Sequence, residues 1–309
     1  MSELMTVAQQ QHPASLLEQL NPLPEDGKLL FYPEPHIYVW ETKPVRKSVT
    51  KMLKNYWPEF NDKTIIDEQF NTWRTQKHGK YFALIQYLML VEGHDDAYCK
   101  LAISKLWNAN RASAATTGTS MHADLQAIVE RWPISHETPE MQMFKGWLHR
   151  FCEDNNCAPF RAEWLIVLDS EGIPVVAGQV DLVLKHREKD EYVGIDYKRT
   201  DPTAKYKGGP QNILGPTQKS FSGETGTGPF ANLEATDFNK YSAQLNAYGH
   251  IAATKYGIDF RDRMLLLQIH PQLSQVHAVR VPRLDDEMRV LFSKESANTK
   301  HEQLVCDNF

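Results

Sequence analysis

The sequence predicts an α/β protein in which a sheet is flanked by helices and preceded by a mostly helical N-terminal region. Three observations predict it. Apolar runs of strand length follow one another at 162–169, 175–185 and 192–199, separated by the turn segments SEGIP and HREKDE. Stretches with helical spacing of apolar residues lie on both sides of this three-stranded meander. Two further strand-like runs, RMLLLQIH and QVHAVRVP, come after it and before a terminal helical stretch, DDEMRVLFSKESANTKHEQL.

Each element has a local reason. Residues 1–27 are polar, end in NPLPEDG and read as a flexible lead-in. LLFYPEPHIYVW is a short hairpin with a Pro-containing turn. Ser48 can then N-cap a helix through TKMLKNYW that Pro58 ends or bends. The region 28–110 is otherwise mostly helical, and YFALIQYLML has the spacing of a packed face. In TTGTSMHADLQAIVERW, Thr119 or Ser120 caps a new helix that Pro133 terminates, and EMQMFKGWLHRFCEDN is another. The meander opens the main part of a core predicted over 111–309. The segment 201–237 interrupts it and is rich in Gly, Pro, Ser and Thr; a loop of that length inside a domain is usually functional or mobile. FNKYSAQLNAYGHIAATKYG is a long helix ended by Gly257. No internal repeat is visible.

Composition narrows the classes. The chain has 309 residues, 41% hydrophobic and 24% charged, as a soluble globular protein does. No apolar run approaches the roughly 20 residues that span a bilayer. The N-terminus lacks a basic segment followed by an apolar one and is not Arg-rich, so an intracellular protein is expected. The four cysteines include no CxxC pair, which argues against a zinc knuckle. A net charge of −5 makes the whole chain a poor electrostatic target for nucleic acid. Three basic stretches nevertheless stand out, KPVRKSVTKMLK at 43–54, WRTQKHGK at 73–80 and KYKGG at 205–209. Each alone suits a solvated face; together they suit a phosphate-binding groove, with Lys51 and Lys205 as contacts.

The chemistry concentrates in GQVDLVLKHREKDEYVGIDYKRT, 178–200. Asp is depleted in strands, and an ionised carboxylate near a core is costly unless compensated. Alternation sends Asp196 and Lys198 to one face with Tyr197 on the other. Pairing of the hairpin brings Asp181 beside Asp196. Two carboxylates so close repel unless a divalent cation sits between them, and hard oxygen ligands suit Mg²⁺ or Mn²⁺. Lys198 then lies beside the metal, where an ammonium can orient or deprotonate water and neutralise charge on a phosphorane-like transition state.

GQVDLV followed by GIDYKR resembles the central motif of the PD-(D/E)XK nuclease superfamily. GTSMHADLQAIVE resembles the helix that opens its RecB-like and mitochondrial or viral exonuclease-like branch, and YSAQLNAYG resembles the Q-x-x-x-Y helix of that branch. The resemblance spans roughly residues 110–280. It implies a core with a central mixed β-sheet flanked by helices. It also implies metal ligation by His122, Asp181, Asp196 and the Tyr197 backbone carbonyl. Gln244 and Tyr248 would orient DNA phosphate, although ordinary helix packing also accounts for Tyr248. Glu163 corresponds to a supporting acid that binds the metal through water or buttresses Lys198; it could equally face solvent. Gln126 stands where relatives often carry an acid. The cysteine pattern departs from that of members with an iron–sulfur cluster, so none is expected.

The implied activity is Mg²⁺- or Mn²⁺-dependent hydrolysis of DNA leaving a 5′-phosphate. An exonuclease or end-processing enzyme on single-stranded or linear DNA is favoured, with the 28–110 region and the 201–237 segment covering a channel. The alternatives are an endonuclease, an RNA-cleaving member, or a nucleic-acid-binding or scaffolding protein on a nuclease-derived fold. There is no P-loop, GxSxG elbow or HExxH helix. ATP-driven unwinding therefore has to come from a helicase, recombinase or replication partner.

Overall fold

A computed structural model of the chain describes residues 15–203, 212–220 and 223–307. The chain forms two compact units, one containing residues up to Pro58 together with those from Met121 onward, the other Glu59–Ser120. This is not the division at 110 that helical content suggests. The 28–58 segment groups with the large sheet because its apolar side chains, Tyr38, Trp40 and Val45, share a core with Val167 and Ala177.

In the larger unit α1 (Leu16–Leu20) leads into a three-stranded antiparallel sheet, β1 (Leu29–Tyr32), β2 (Ile37–Trp40) and β3 (Lys43–Val45). The expected hairpin is thus extended by a third strand. α2 (Val49–Lys54) starts at Ser48, whose hydroxyl accepts the Lys51 N–H at 3.2 Å, as the sequence predicts; a cap of this kind contributes about 1 kcal/mol.

The main sheet has the order β4 (Cys157–Ser170), β5 (Ile173–His186), β6 (Tyr192–Lys198), β7 (Met264–Gln268) and β8 (His277–Arg280). Only the β6–β7 pairing is parallel, so the sheet is mixed. That parallel step requires a crossover, supplied by α7 (Asp237–Tyr256). Gly257 closes α7 at φ +68°, the left-handed cap expected of it. One apolar core joins the sheet to α2, α7 and α8 (Asp285–Asp307). A second joins it to α6 (Pro139–Asp154) and the C-terminal part of α5 (Asp96–Val129).

Two expectations are corrected. Residues 15–27 are anchored rather than loose. Arg161, 1% exposed, donates to the Leu17 and Asn21 carbonyls and pairs with Asp26 at 3.0 Å, while Glu130 accepts the Ser15 hydroxyl and the Leu17 N–H. No helix starts at Thr119 or Ser120. Their hydroxyls donate back to the Ala115 and Thr116 carbonyls at 3.1 Å, so both residues continue the long α5. The described parts of 201–237 are tethered: the buried Gln268 amide bonds the Thr200 and Asn212 carbonyls and the Leu214 N–H.

The smaller unit contains α3 (Asp62–Thr75), α4 (Phe82–Leu90) and α5 through Ser120. Its core gathers Ile66, Phe70, Tyr81, Ile85, Cys99 and Ile103, of which Tyr81 and Ile85 belong to the stretch YFALIQYLML read as a packed face. Among the described residues no helix is long and apolar enough to cross a membrane.

Candidate metal centre

Strand register assembles the acids. Ala162 pairs with Leu182 and Trp164 with Val180, which sets Glu163 against Asp181. Leu182 pairs with Ile195, and one further step sets Asp181 against Asp196. Three carboxylates from three successive strands therefore form one row, and residues directly opposite across a ladder share a face.

The pleat breaks at this row. Trp164 and Val180 pack in the core around α7, whereas Ala162 and Leu182 pack in the core around α5 and α6. Residues two apart in an unbroken strand would share a face. Glu163 has φ +46°, a left-handed conformation uncommon outside glycine and rare within a strand. Gln179 Nε2 donates to its carbonyl at 3.3 Å.

His122 meets the row from α5. Its Nδ1 lies 3.2 Å from Glu163 Oε1 and 3.5 Å from Asp181 Oδ1. One ligand atom from each of His122, Glu163 and Asp181 lies within 4.8 Å of the other two, a group that could hold a metal ion. Asp181 Oδ2 accepts the Tyr197 N–H at 2.5 Å. Asp196 sits beside this group. Its Oδ2 pairs with Lys198 Nζ at 2.6 Å, and its Oδ1 is buried with no hydrogen-bond partner among the described residues. Lys198 is held from two more sides, by Gln244 Oε1 at 3.5 Å and by the Tyr241 ring, 4.6 Å from Nζ to the centroid. Gln244 Nε2 in turn donates to the Tyr248 hydroxyl at 2.8 Å.

Proton affinities follow from burial and crowding. Burial, with Asp181 repulsion, pushes Asp196 up to about 6 against the pull of Lys198. Burial and Glu163 repulsion raise Asp181 against the attraction of His122 and Lys198. Burial lowers His122, but the Asp181 charge and the Glu163 hydrogen bond outweigh it and lift the imidazole to about 9. Lys198 is likewise raised: Asp196 and Asp181 overcome its desolvation. Closely set acids that resist ionisation, with one buried oxygen unpartnered, fit a hard divalent cation with carboxylate and imidazole ligands.

The expected constellation is thus only partly the observed one. Asp181 and His122 are in the metal-ligating group. Glu163 takes the third place where the sequence puts Asp196, and it bonds His122 rather than Lys198. Asp196 and Lys198 share a face and touch. At Tyr197 the backbone N–H meets the acids, while its ring, 1% exposed, packs on Phe144. Tyr248 is 4% exposed and lies behind Gln244, close enough to Gly178 that a Cβ there would fall 2.5 Å from its ring. It supports Gln244 and does not present a surface to phosphate. Lys205 lies outside the described residues.

Lys51 is exposed and lines a cleft of about 420 Å³ with His36, Arg46 and Lys54. Tyr38, also lining the cleft, is pushed up to about 12 by burial and, to a lesser extent, by the Glu163 charge. The basic stretch at 73–80 belongs to the smaller unit, where Arg74 pairs with Asp96 at 3.0 Å. Sequence reasoning misses Tyr241. The signal was available, because Tyr241 and Gln244 are i and i+3 on one helix face.

No protein-family model matches the chain, and none of the curated proteins compared with it does.

Proposed function

We propose that this protein is a divalent-metal-dependent nuclease of the PD-(D/E)XK superfamily that hydrolyses phosphodiester bonds at the ends of single-stranded or linear DNA. The observation that carries the reading is the row Glu163–Asp181–Asp196 on three adjacent strands, with Lys198 Nζ 2.6 Å from Asp196. The resemblance of the surrounding motifs to that superfamily supports it independently.

His122, Glu163 and Asp181 would hold Mg²⁺ or Mn²⁺, with the unpartnered oxygen of Asp196 beside them. A bound cation supplies Lewis acidity toward a phosphoryl oxygen and lowers the pKa of water. Lys198 keeps its proton, so its task is to orient the attacking water and to stabilise charge building on the phosphoryl oxygens. Gln244 and Tyr241 hold that ammonium in place, and Tyr248 holds Gln244. The cleft bearing Lys51, His36, Arg46 and Lys54 would carry neighbouring phosphates of the strand.

The test incubates the protein with end-labelled linear DNA, closed circular DNA and RNA in Mn²⁺. Linear DNA should be shortened from an end, and Lys198→Ala should slow cleavage about 10²–10³-fold, as loss of a charge-stabilising donor does. Equal cleavage by Lys198→Ala, or none of any substrate by the unmodified protein, overturns the proposal. Cutting of closed circles replaces end processing with endonuclease action, and a preference for RNA changes the substrate.

A further inference from the structure

The smaller unit carries a series of aromatic rings that the reaction proposed above does not use. Ring centroids lie 4.8 Å apart for Trp73 and Tyr81, 6.3 Å for Tyr81 and Trp107, and 5.7 Å for Trp107 and Phe60. The series runs from the inside of the unit to its outside. Tyr81 is buried, Trp73 and Trp107 are half-buried, and Phe60 is 62% exposed. The Trp107 indole donates to the Tyr81 hydroxyl at 2.6 Å, which fixes the ring and uses its one polar group within the unit. What Trp107 and Phe60 offer to solvent is therefore ring surface.

A cation stands at each end of the series. The Arg111 guanidinium lies 5.6 Å from the Phe60 centroid, and Lys80 Nζ lies 5.4 Å from that of Tyr81. Trp107 and Arg111 are i and i+4 on α5, so one helix face carries both. Two other bases of the unit are neutralised, Arg74 by Asp96 at 3.0 Å and Lys100 by Asp67 at 2.8 Å. Lys80 and Arg111 are exposed and have no ion-pair partner among the described residues. Lys80 also belongs to the basic stretch 73–80, which the metal centre leaves unexplained.

We infer that the smaller unit binds single-stranded nucleic acid, with bases stacked on Phe60 and Trp107 and phosphates paired with Arg111 and Lys80. Rings set between cations match a strand in which flat bases alternate with anionic phosphates. A duplex keeps its base faces stacked inside and cannot use the rings. An apolar protein surface would cover the rings but leave two cations desolvated without an anion. Every base has a π-face, so the platform reads strandedness and not sequence. The inference deepens the nuclease reading by naming the form in which the substrate is held, and rests on it only for the use made of the strand.

The test follows binding of a fluorescein-labelled single strand of DNA to the full-length protein by anisotropy, in a chelator so that no cleavage intervenes. Phe60→Ala should bind about 5- to 150-fold more weakly, the loss of one stacked base. Phe60→Tyr should bind as the unmodified protein does and Phe60→Leu as weakly as Phe60→Ala, because a ring is required and bulk is not enough. Arg111→Gln should lower the slope of log affinity against log salt by about 0.7, the share of one phosphate on a single strand. Phe60→Ala should leave that slope unchanged, and duplex DNA should not distinguish it from the unmodified protein.

Phe60 is largely exposed, so Phe60→Ala should keep the urea midpoint of the unmodified protein. If it does not fold, the Phe60→Tyr and Phe60→Leu pair and the Arg111→Gln slope decide. Equal affinity of Phe60→Ala and the unmodified protein for the single strand, or no binding by either, overturns the inference. So does unchanged DNA binding with a lower mass of Phe60→Ala in gel filtration, which would make this face a contact between two copies of the chain. The nuclease reading fails separately: a protein that cleaves no substrate yet holds the strand through Phe60 loses the activity and keeps the platform.

Discussion

In the absence of divalent cations, His122 should make the protein lose stability between about pH 6 and pH 9. The perturbation is His122→Gln, which keeps a polar side chain of similar reach and removes the titration. The imidazole rises from 6.5 to about 9 on folding because Asp181 and Glu163 more than offset its burial. At 1.36 kcal/mol per unit, this shift corresponds to roughly 3 kcal/mol. A folded pKa above the unfolded one means that the native state holds the proton more tightly. That stabilisation is complete below 6.5 and is lost as pH rises through 9. Asp196, raised to about 6 from 3.8, acts in the same direction but at lower pH, so it does not mask the effect.

Urea unfolding in a chelator at the two pH values gives the answer. The unmodified protein should lose up to roughly 3 kcal/mol more than His122→Gln over this interval; distant groups cancel, while Asp181 and Asp196, which lose the attraction of His122, titrate higher in the variant and reduce the difference. Parallel losses in the two proteins would refute the assigned electrostatics. The same coupling requires Mn²⁺ binding near neutral pH to release a proton, which titration calorimetry in buffers of different ionisation enthalpy detects.

Gly178→Ala should cost about 1–3 kcal/mol in urea and weaken activity, because its Cβ would meet Tyr248 at 2.5 Å and push Gln244 off Lys198; unchanged stability refutes that contact. Arg161→Ala should cost roughly 3 kcal/mol and speed proteolysis before residue 28, since Asp26 and two carbonyls lose their donor; no change in either readout means that the N-terminal segment is held otherwise. Tyr241→Leu should lower kcat several-fold and speed acylation of Lys198, while Tyr241→Phe should behave as the unmodified protein, because the ring face lies over the ammonium. Equal acylation of Lys198 in all three removes Tyr241 from a positioning role.

Much of the large sheet is legible in the sequence because its signals are local. The strands of the meander come from apolar runs and turns, and Ser48 and Gly257 cap helices as their chemistry dictates. Alternation alone sets Asp196 beside Lys198. Other features depend on long-range or backbone information. Thr119 and Ser120 suit an N-cap as well as they suit bonding back to the preceding turn, and only tertiary context chooses between these. Arg161 reads as one more charge on a strand until its partners, more than 130 positions earlier, are in place. The division of the chain is hidden too, since 28–58 belongs by packing with strands far along the sequence. Glu163 is the most instructive residue, because no residue preference announces a left-handed glutamate inside a strand.

That glutamate links the site to the stability of the fold. A non-glycine residue held at φ +46° costs on the order of 1–2 kcal/mol. Glycine at this position would adopt the conformation without that cost, yet it would remove the acid that faces His122. Variation at Glu163 is therefore pulled two ways, with substitutions that relax the backbone giving up ligand chemistry. A Glu163→Gly protein that unfolds at higher temperature while binding Mn²⁺ more weakly would display this trade-off at a single position.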